Sequence, residues 1–198
     1  MSPPDVVPPT YTPEEEATLS ENLLAVTAAV YRGDTRGRPL RPELLCALHD
    51  SLFRGVREHA GRMRGHGFGS EVLRFGPWYS AHRHDVQKKI EALCAEVRRA
   101  LDEITDAPEA PDYEDAALRL ALTAHAYFIR IHPFEDGNGR TGRLLLSHLL
   151  VSLGLQPVPF EASRAEYIQV LEHFFTYEEV TPLLDLYLRL AADALADR

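Results

Sequence analysis

Residues 131–143, IHPFEDGNGRTGR, crowd a histidine, carboxylates, glycines and two arginines between apolar, helix-like stretches, a set suited to work on a phosphate ester. Pro133 cannot continue a helix and pushes its predecessor toward an extended conformation, so His132 is expected at the rim, on the carboxyl end of the helix before it. Asp136-Gly137-Asn138-Gly139 tolerates positive φ and runs straight into the next helix. Such a turn points backbone N–H groups at one spot and adds the helix's partial positive charge there, which makes an anion cradle. Arg140 and Arg143, three apart beside it, suit two successive phosphates. Asp136 repels an anion unless a hard cation such as Mg²⁺ bridges the two. The set reads as a site for a metal-bound polyphosphate, where His132, with an ordinary pKa of about 6.5, is neutral and takes a proton from an attacking hydroxyl.

The loop taken alone also admits a plain reading: Asp-Gly and Asn-Gly are common turn dipeptides, and a histidine before proline can cap a helix. A calcium loop fails because Thr141, Gly142 and Arg143 stand where acidic ligands are required. A P-loop fails because no strand precedes the glycines and no Gly-Lys-Ser/Thr follows them.

The elements that hold this loop are helical. Thr12, Pro13 and Glu15 form a capping box that starts a helix over 13–32, and Leu44, Leu45, Leu48 and Leu52 predict a second, to about His59. Residues 60–80 carry five of the 12 glycines and read as a functional loop with a small hairpin around FGSEVLRF. A third helix carries Val86 to Leu101. Residues 113–131 are apolar nearly all round, as in a buried central helix, and further helices are expected over 140–153, 163–176 and 181–196. The fold class is all-α. His82 and His84 are expected at the surface, and His125 and His148 in the core or at its boundary.

With 198 residues, 45% hydrophobic and 26% charged, one compact domain over 12–198 is expected, behind a Pro-rich, poorly ordered tail at 1–11. The net charge of −9 argues against nucleic acid or an anionic membrane surface as partner. No apolar run is long enough for a span, no secretory signal precedes the first helix, and a cytoplasmic protein is expected. Cys46 and Cys94 read as small core residues. Of the 21 basic residues only Lys88 and Lys89 are lysines, so an arginine counts here by its spacing alone.

At His132, Phe134, Asp136, Gly137, Asn138, Gly139, Arg140 and Arg143 the chain resembles the Fic family signature, HxFx[D/E]GNGRxxR, at every defined position. The resemblance extends over about 44–175 through LHDSLFRGV, AGRMR and SRAEYIQVLEHF. It implies a helical Fic-type domain with a short β-hairpin flap, placed at about 66–76, and a protein adenylyltransferase that moves AMP from ATP to a Ser, Thr or Tyr hydroxyl of a target protein. By position, His132 would be the base and Asp136 the Mg²⁺ ligand. Asn138 with the backbone of Gly137 and Gly139 would form the anion hole, Arg140 would contact the phosphates and Arg143 the γ-phosphate. Phe134 would anchor the loop in the core. Gly139 favours nucleotidyl transfer, since the related kinase branch carries lysine there. Transfer of another phosphate-containing group and a catalytically idle regulatory module are the alternatives.

Many family members carry an inhibitory helix, [S/T]xxxE[G/N], whose glutamate pairs with the second arginine of the signature. Glu21-Asn22 on the first helix is similar, although Ala17 replaces the hydroxyl residue. The resemblance thus implies regulation by Glu21, with a separate antitoxin protein as the alternative regulator; a homo-oligomer is the other candidate partner.

Overall fold

Capping chemistry sets where the helices begin. Thr12 Oγ1 accepts from the Glu15 N–H while the Glu15 carboxylate accepts from the Thr12 N–H, with Pro13 in the first helical position. Ser163 and Glu166 repeat the same box at the start of the sixth helix. The computed structural model describes residues 10–65, 67–75 and 77–196. Its elements are α1 (Pro13–Tyr31), α2 (Pro42–Phe53), β1 (Arg74–Phe75), β2 (Trp78–Tyr79), α3 (Arg83–Thr105), α4 (Tyr113–Ile131), α5 (Asn138–Ser152), α6 (Arg164–Tyr177) and α7 (Thr181–Ala196). The tail expected at 1–11 lies outside the described residues up to 9; Thr10 and Tyr11 are described, and Tyr11 belongs to the site below.

Two expectations need correcting. Helix α2 ends at Phe53 and not near His59, because Gly55 turns left-handed (φ 78) and sends residues 54–64 back over α2, where the Gly61 N–H donates to His49 Nδ1 at 2.9 Å. A side chain at Gly61 would press within 2.9 Å of Asp50 Cβ, so this return needs glycine. The hairpin falls later than FGSEVLRF: Arg74 pairs with Tyr79 and Phe75 with Trp78, antiparallel. Ser80 Oγ accepts the Leu73 N–H and the Ser80 N–H donates to the Leu73 carbonyl, which closes the open end of the ladder beyond the Arg74–Tyr79 pair.

Helices α4 and α5 form the centre, α4 against α3, α5, α6 and α7, and α5 also against α1 and α2. Only glycine permits their approach at residue 142, since a Cβ there would meet Ile129 Cδ1 at 2.9 Å and His125 Nδ1 at 3.1 Å. This contact brings the carboxyl end of α4 and the amino end of α5 together, and residues 132–137 span the gap. Among the described residues, no helix is long and apolar enough to cross a membrane.

His49, His125 and His148 are buried in this core, and burial pushes each imidazole down to about 4. In the unfolded chain they titrate near about 6.5, so between that pH and about 4 the unfolded state binds more protons and stability rises with pH. Acidification through this window is expected to lower the melting temperature, each histidine contributing up to about 1.4 kcal/mol per pH unit. A melting curve that does not move between about pH 6.5 and about pH 4.5 would contradict the burial of these rings.

Candidate active site

His132 ends α4 in the left-handed region (φ 54, ψ 61), not extended as Pro133 led one to expect. Its carbonyl is turned onto the Arg64 guanidinium, with Nε at 3.0 Å and Nη2 at 2.7 Å. The ring is held separately. Its Nδ1 lies 3.2 Å from the Ile129 carbonyl, and because a carbonyl only accepts, Nδ1 carries the proton and Nε2 keeps the lone pair. Phe75 of β1 stacks on the ring at 4.8 Å and 16°. Burial, helped by the Arg64 charge, pushes the imidazole down to about 4 against the Ile129 hydrogen bond and the nearby carboxylates of Asp136 and Glu135. His132 is therefore a neutral acceptor at neutral pH.

The cradle is built on Phe134, which is fully buried. Asn138, itself buried, accepts the Phe134 N–H through Oδ1 at 2.9 Å and donates Nδ2 to the Phe134 carbonyl at 2.8 Å. The Asn138 side-chain amide, expected in the anion hole, is here committed to the loop, which leaves its backbone N–H as the donor available there. Gly137 is the left-handed cap of α5 (φ 75), and no side chain caps that helix. The first-turn N–H groups of Asn138, Gly139 and Arg140 are left as the orphan donors of a helix amino end.

Two cavities meet the cradle. One, of about 470 Å³, has His132 and Gly139 in its wall, beside Phe75, Trp78, Tyr167 and Phe175. The other, of about 610 Å³, is lined by Arg140 and Arg143 together with Ser20, Leu23 and Leu24 of α1.

Asp136 stands between the cradle and the amino-terminal segment. Its Oδ1 accepts from the Gly137 N–H at 2.5 Å, and its Oδ2 accepts from the Tyr11 hydroxyl at 2.5 Å. Arg140 donates to the same hydroxyl at 3.3 Å, and the Arg57 guanidinium lies over the Tyr11 ring, 4.4 Å from its centroid. From behind, His49 supports the loop. Since its Nδ1 accepts from Gly61, its Nε2 carries the proton and donates to the Asp136 carbonyl at 3.1 Å, and its ring stacks on Phe134 at 3.9 Å. Among the described residues, no three His, Cys, Asp or Glu side chains gather as a metal cage. A single carboxylate beside a phosphate cradle still fits Mg²⁺, which takes most of its ligands from phosphates and water.

Tyr11, His49, Arg57 and Arg64 escaped the sequence reading. His49 and Arg64 sit inside the segments LHDSLFRGV and AGRMR, but nothing in their spacing announces that they reach residues 132–136. The expected pairing of Glu21 with Arg143 does not form. Glu21 lies on the exposed face of α1, and the α1 side chains that share a cavity with Arg143 include Ser20, Leu23, Leu24 and Thr27. Asn22 instead donates to the Leu52 and Arg54 carbonyls, both at 3.0 Å, which turns Glu21 outward. Tyr11 is the amino-terminal group that touches the cradle. Tyr11→Phe is expected to tighten Mg²⁺-nucleotide binding by about fivefold, the size of one net hydrogen bond of about 1 kcal/mol. Glu21→Gly should leave the affinity unchanged while costing about 1 kcal/mol of helix stability. Titration with a fluorescent ATP analogue and a thermal melt check both, and the reverse ranking would restore Glu21 as the brake.

The profile of the Fic/DOC family matches residues 39–150, more than half of the chain. Over 57 residues the chain is 44% identical to a protein adenylyltransferase Fic of Culex quinquefasciatus, a stretch covering 27% of this chain and 11% of that protein. Over 60 residues it is 49% identical to a Fido domain-containing protein of Dictyostelium discoideum, covering 30% of this chain and 41% of the other. The aligned stretch therefore spans less than half the length of either relative. Among solved structures, the effector BepC of Bartonella tribocorum, crystallised with AMPPNP, superposes with a TM-score of 0.72 at 16% identity, covering 89% of this chain and 86% of that one. Because the family match takes in α2 through nearly all of α5, every element that shapes the loop at 132–137, the chain belongs to the Fic/DOC family.

Proposed function

We propose that this chain transfers AMP from ATP to the hydroxyl of a Ser, Thr or Tyr side chain in a target protein. One observation carries the reading above the others: His132 is neutral, with its Nδ1–H committed to Ile129 and its Nε2 lone pair free to accept. That is the tautomer a general base needs. The acceptor hydroxyl gives its proton to Nε2 and its oxygen bonds to the α-phosphorus. The bond from that phosphorus to the bridging oxygen breaks, and pyrophosphate leaves. The N–H groups at the start of α5, with Arg140, would stabilise the charge that develops on the α-phosphate, and Arg143 would suit the γ-phosphate. Mg²⁺ held by Asp136 would neutralise charge between the α- and β-phosphates.

The aromatic-walled cavity beside Gly139, about 470 Å³, suits the nucleoside. The β1–β2 hairpin, whose Phe75 touches the base, offers an edge along which a target segment aligns by strand pairing. AMPPNP, an ATP analogue, bound to the similarly folded BepC, favours the same class of ligand. The test uses ATP labelled on either the α- or the γ-phosphate, with Mg²⁺ and a cell lysate. Protein-bound label from the α-position alone is the expected result. Label from the γ-position would make the chain a kinase, and label from neither would make it an idle binding module.

A further inference from the structure

Arg64 is 1% exposed, although arginine is rarely buried. It lies outside the phosphate cradle, and its guanidinium is surrounded mainly by neutral oxygens. Besides the His132 carbonyl, Nη2 donates to Ser80 Oγ and the Ala81 carbonyl, each at 3.0 Å, and Nη1 donates to the Ser70 carbonyl at 3.0 Å. The Arg64 backbone N–H donates to the Pro133 carbonyl at 2.8 Å. Ser70 is tied in turn to the loop, its N–H donating to the Glu135 carboxylate at 2.9 Å. The planar cation therefore joins both sides of the β1–β2 hairpin to the His132 carbonyl, and the backbone of the same residue holds the Pro133 carbonyl.

Residue 132 explains why such a cation is needed. A left-handed residue directly before proline is strained, and strain of this kind persists only where the surroundings over-determine it. Here the fork on the His132 carbonyl does so. Desolvation of a guanidinium is costly and is offset only when its donors are satisfied, which this ring of oxygens achieves. Resting on the reading of His132 as the base, we propose that Arg64 is a positioning residue for the transfer. Its fork on the His132 carbonyl sets the left-handed turn that aims Nε2, and its hold on Ser70, Ser80 and Ala81 couples that aim to the hairpin on which the target docks. Lysine cannot replace it, because a point charge with three rotatable donors does not span a planar fork.

Arg64→Lys and Arg64→Met in the full chain test this through three readouts: the Cα and Cβ chemical shifts of His132, the affinity for a fluorescent ATP analogue with Mg²⁺, and the rate of label transfer from the α-phosphate. The His132 shifts should leave their left-handed values. Transfer should fall about 10- to 100-fold while nucleotide affinity stays within about threefold, as expected when only the alignment of a reacting group is lost. Unchanged His132 shifts and rate in Arg64→Lys would overturn the assignment, and so would affinity and rate falling together with the melting temperature. Should both variants fail to fold, the unaltered protein still decides: the Arg64 Nε–H must show a through-hydrogen-bond coupling to the His132 carbonyl carbon, and its absence overturns the placement. If the unaltered protein transfers no label, the proposed function fails, while the His132 shifts continue to judge Arg64 independently.

Discussion

Transfer of α-phosphate label by His132→Asn is expected to fall by about 10²- to 10⁴-fold, the usual contribution of a positioned general base. Asparagine is the informative replacement because it tolerates the left-handed backbone that His132 adopts. The comparison then removes the imidazole without also releasing the turn, and His132→Ala, which pays for both, should be no faster. Binding of Mg²⁺-nucleotide, which we assign to the α5 amino end, Arg140 and Arg143 and not to His132, should survive in His132→Asn. A variant that keeps the parent rate would show that the proton goes elsewhere. Loss of binding and rate in parallel would mean that His132 organises the cradle instead of acting as base.

Gly137→Ala should be the most damaging single-carbon change in the cradle. Residue 137 is left-handed (φ 75), and a Cβ placed on it would overlap the ring of Phe53, which is itself fully buried. Left-handed strain costs about 1–2 kcal/mol and overpacking about 1–3 kcal/mol, so the loss of stability is expected at about 2–5 kcal/mol, with nucleotide binding abolished. Denaturant unfolding of the single variant and of Gly137→Ala combined with Phe53→Leu separates the two costs. The double variant should regain the overpacking share and keep the strain share. Equal stability of Gly137→Ala and the parent would mean that the loop is soft, and the argument for a preformed anion site would fail.

Much of this was legible in the chain. The apolar patterning along the chain and its caps predicted α4 and α7 to the residue and α1 to within one position, because a helix's apolar face and its caps are local properties. The burial of Phe134 followed from the family resemblance, and the donors at the start of α5 from glycines running into a helix. Less legible were the end of α2, shortened by a left-handed Gly55, and the hairpin, displaced toward Gly-Pro by the Ser80–Leu73 closure.

By itself the sequence determined the helical class, the place of the loop between two buried helices, and the chemical character of the residues it displays. Each depends on neighbours a few positions apart. Tertiary structure alone decided how those residues are used. Asn138 was spent on Phe134, Glu21 faced away from Arg143, and Tyr11 arrived on Asp136 from 125 positions away. His132 was bent left-handed by an arginine 68 positions earlier. A local preference such as that of a residue before proline is overridden at a cost of about 1–3 kcal/mol, and a buried cation whose donors must all find oxygens outweighs it, through partners that no spacing in the chain reveals.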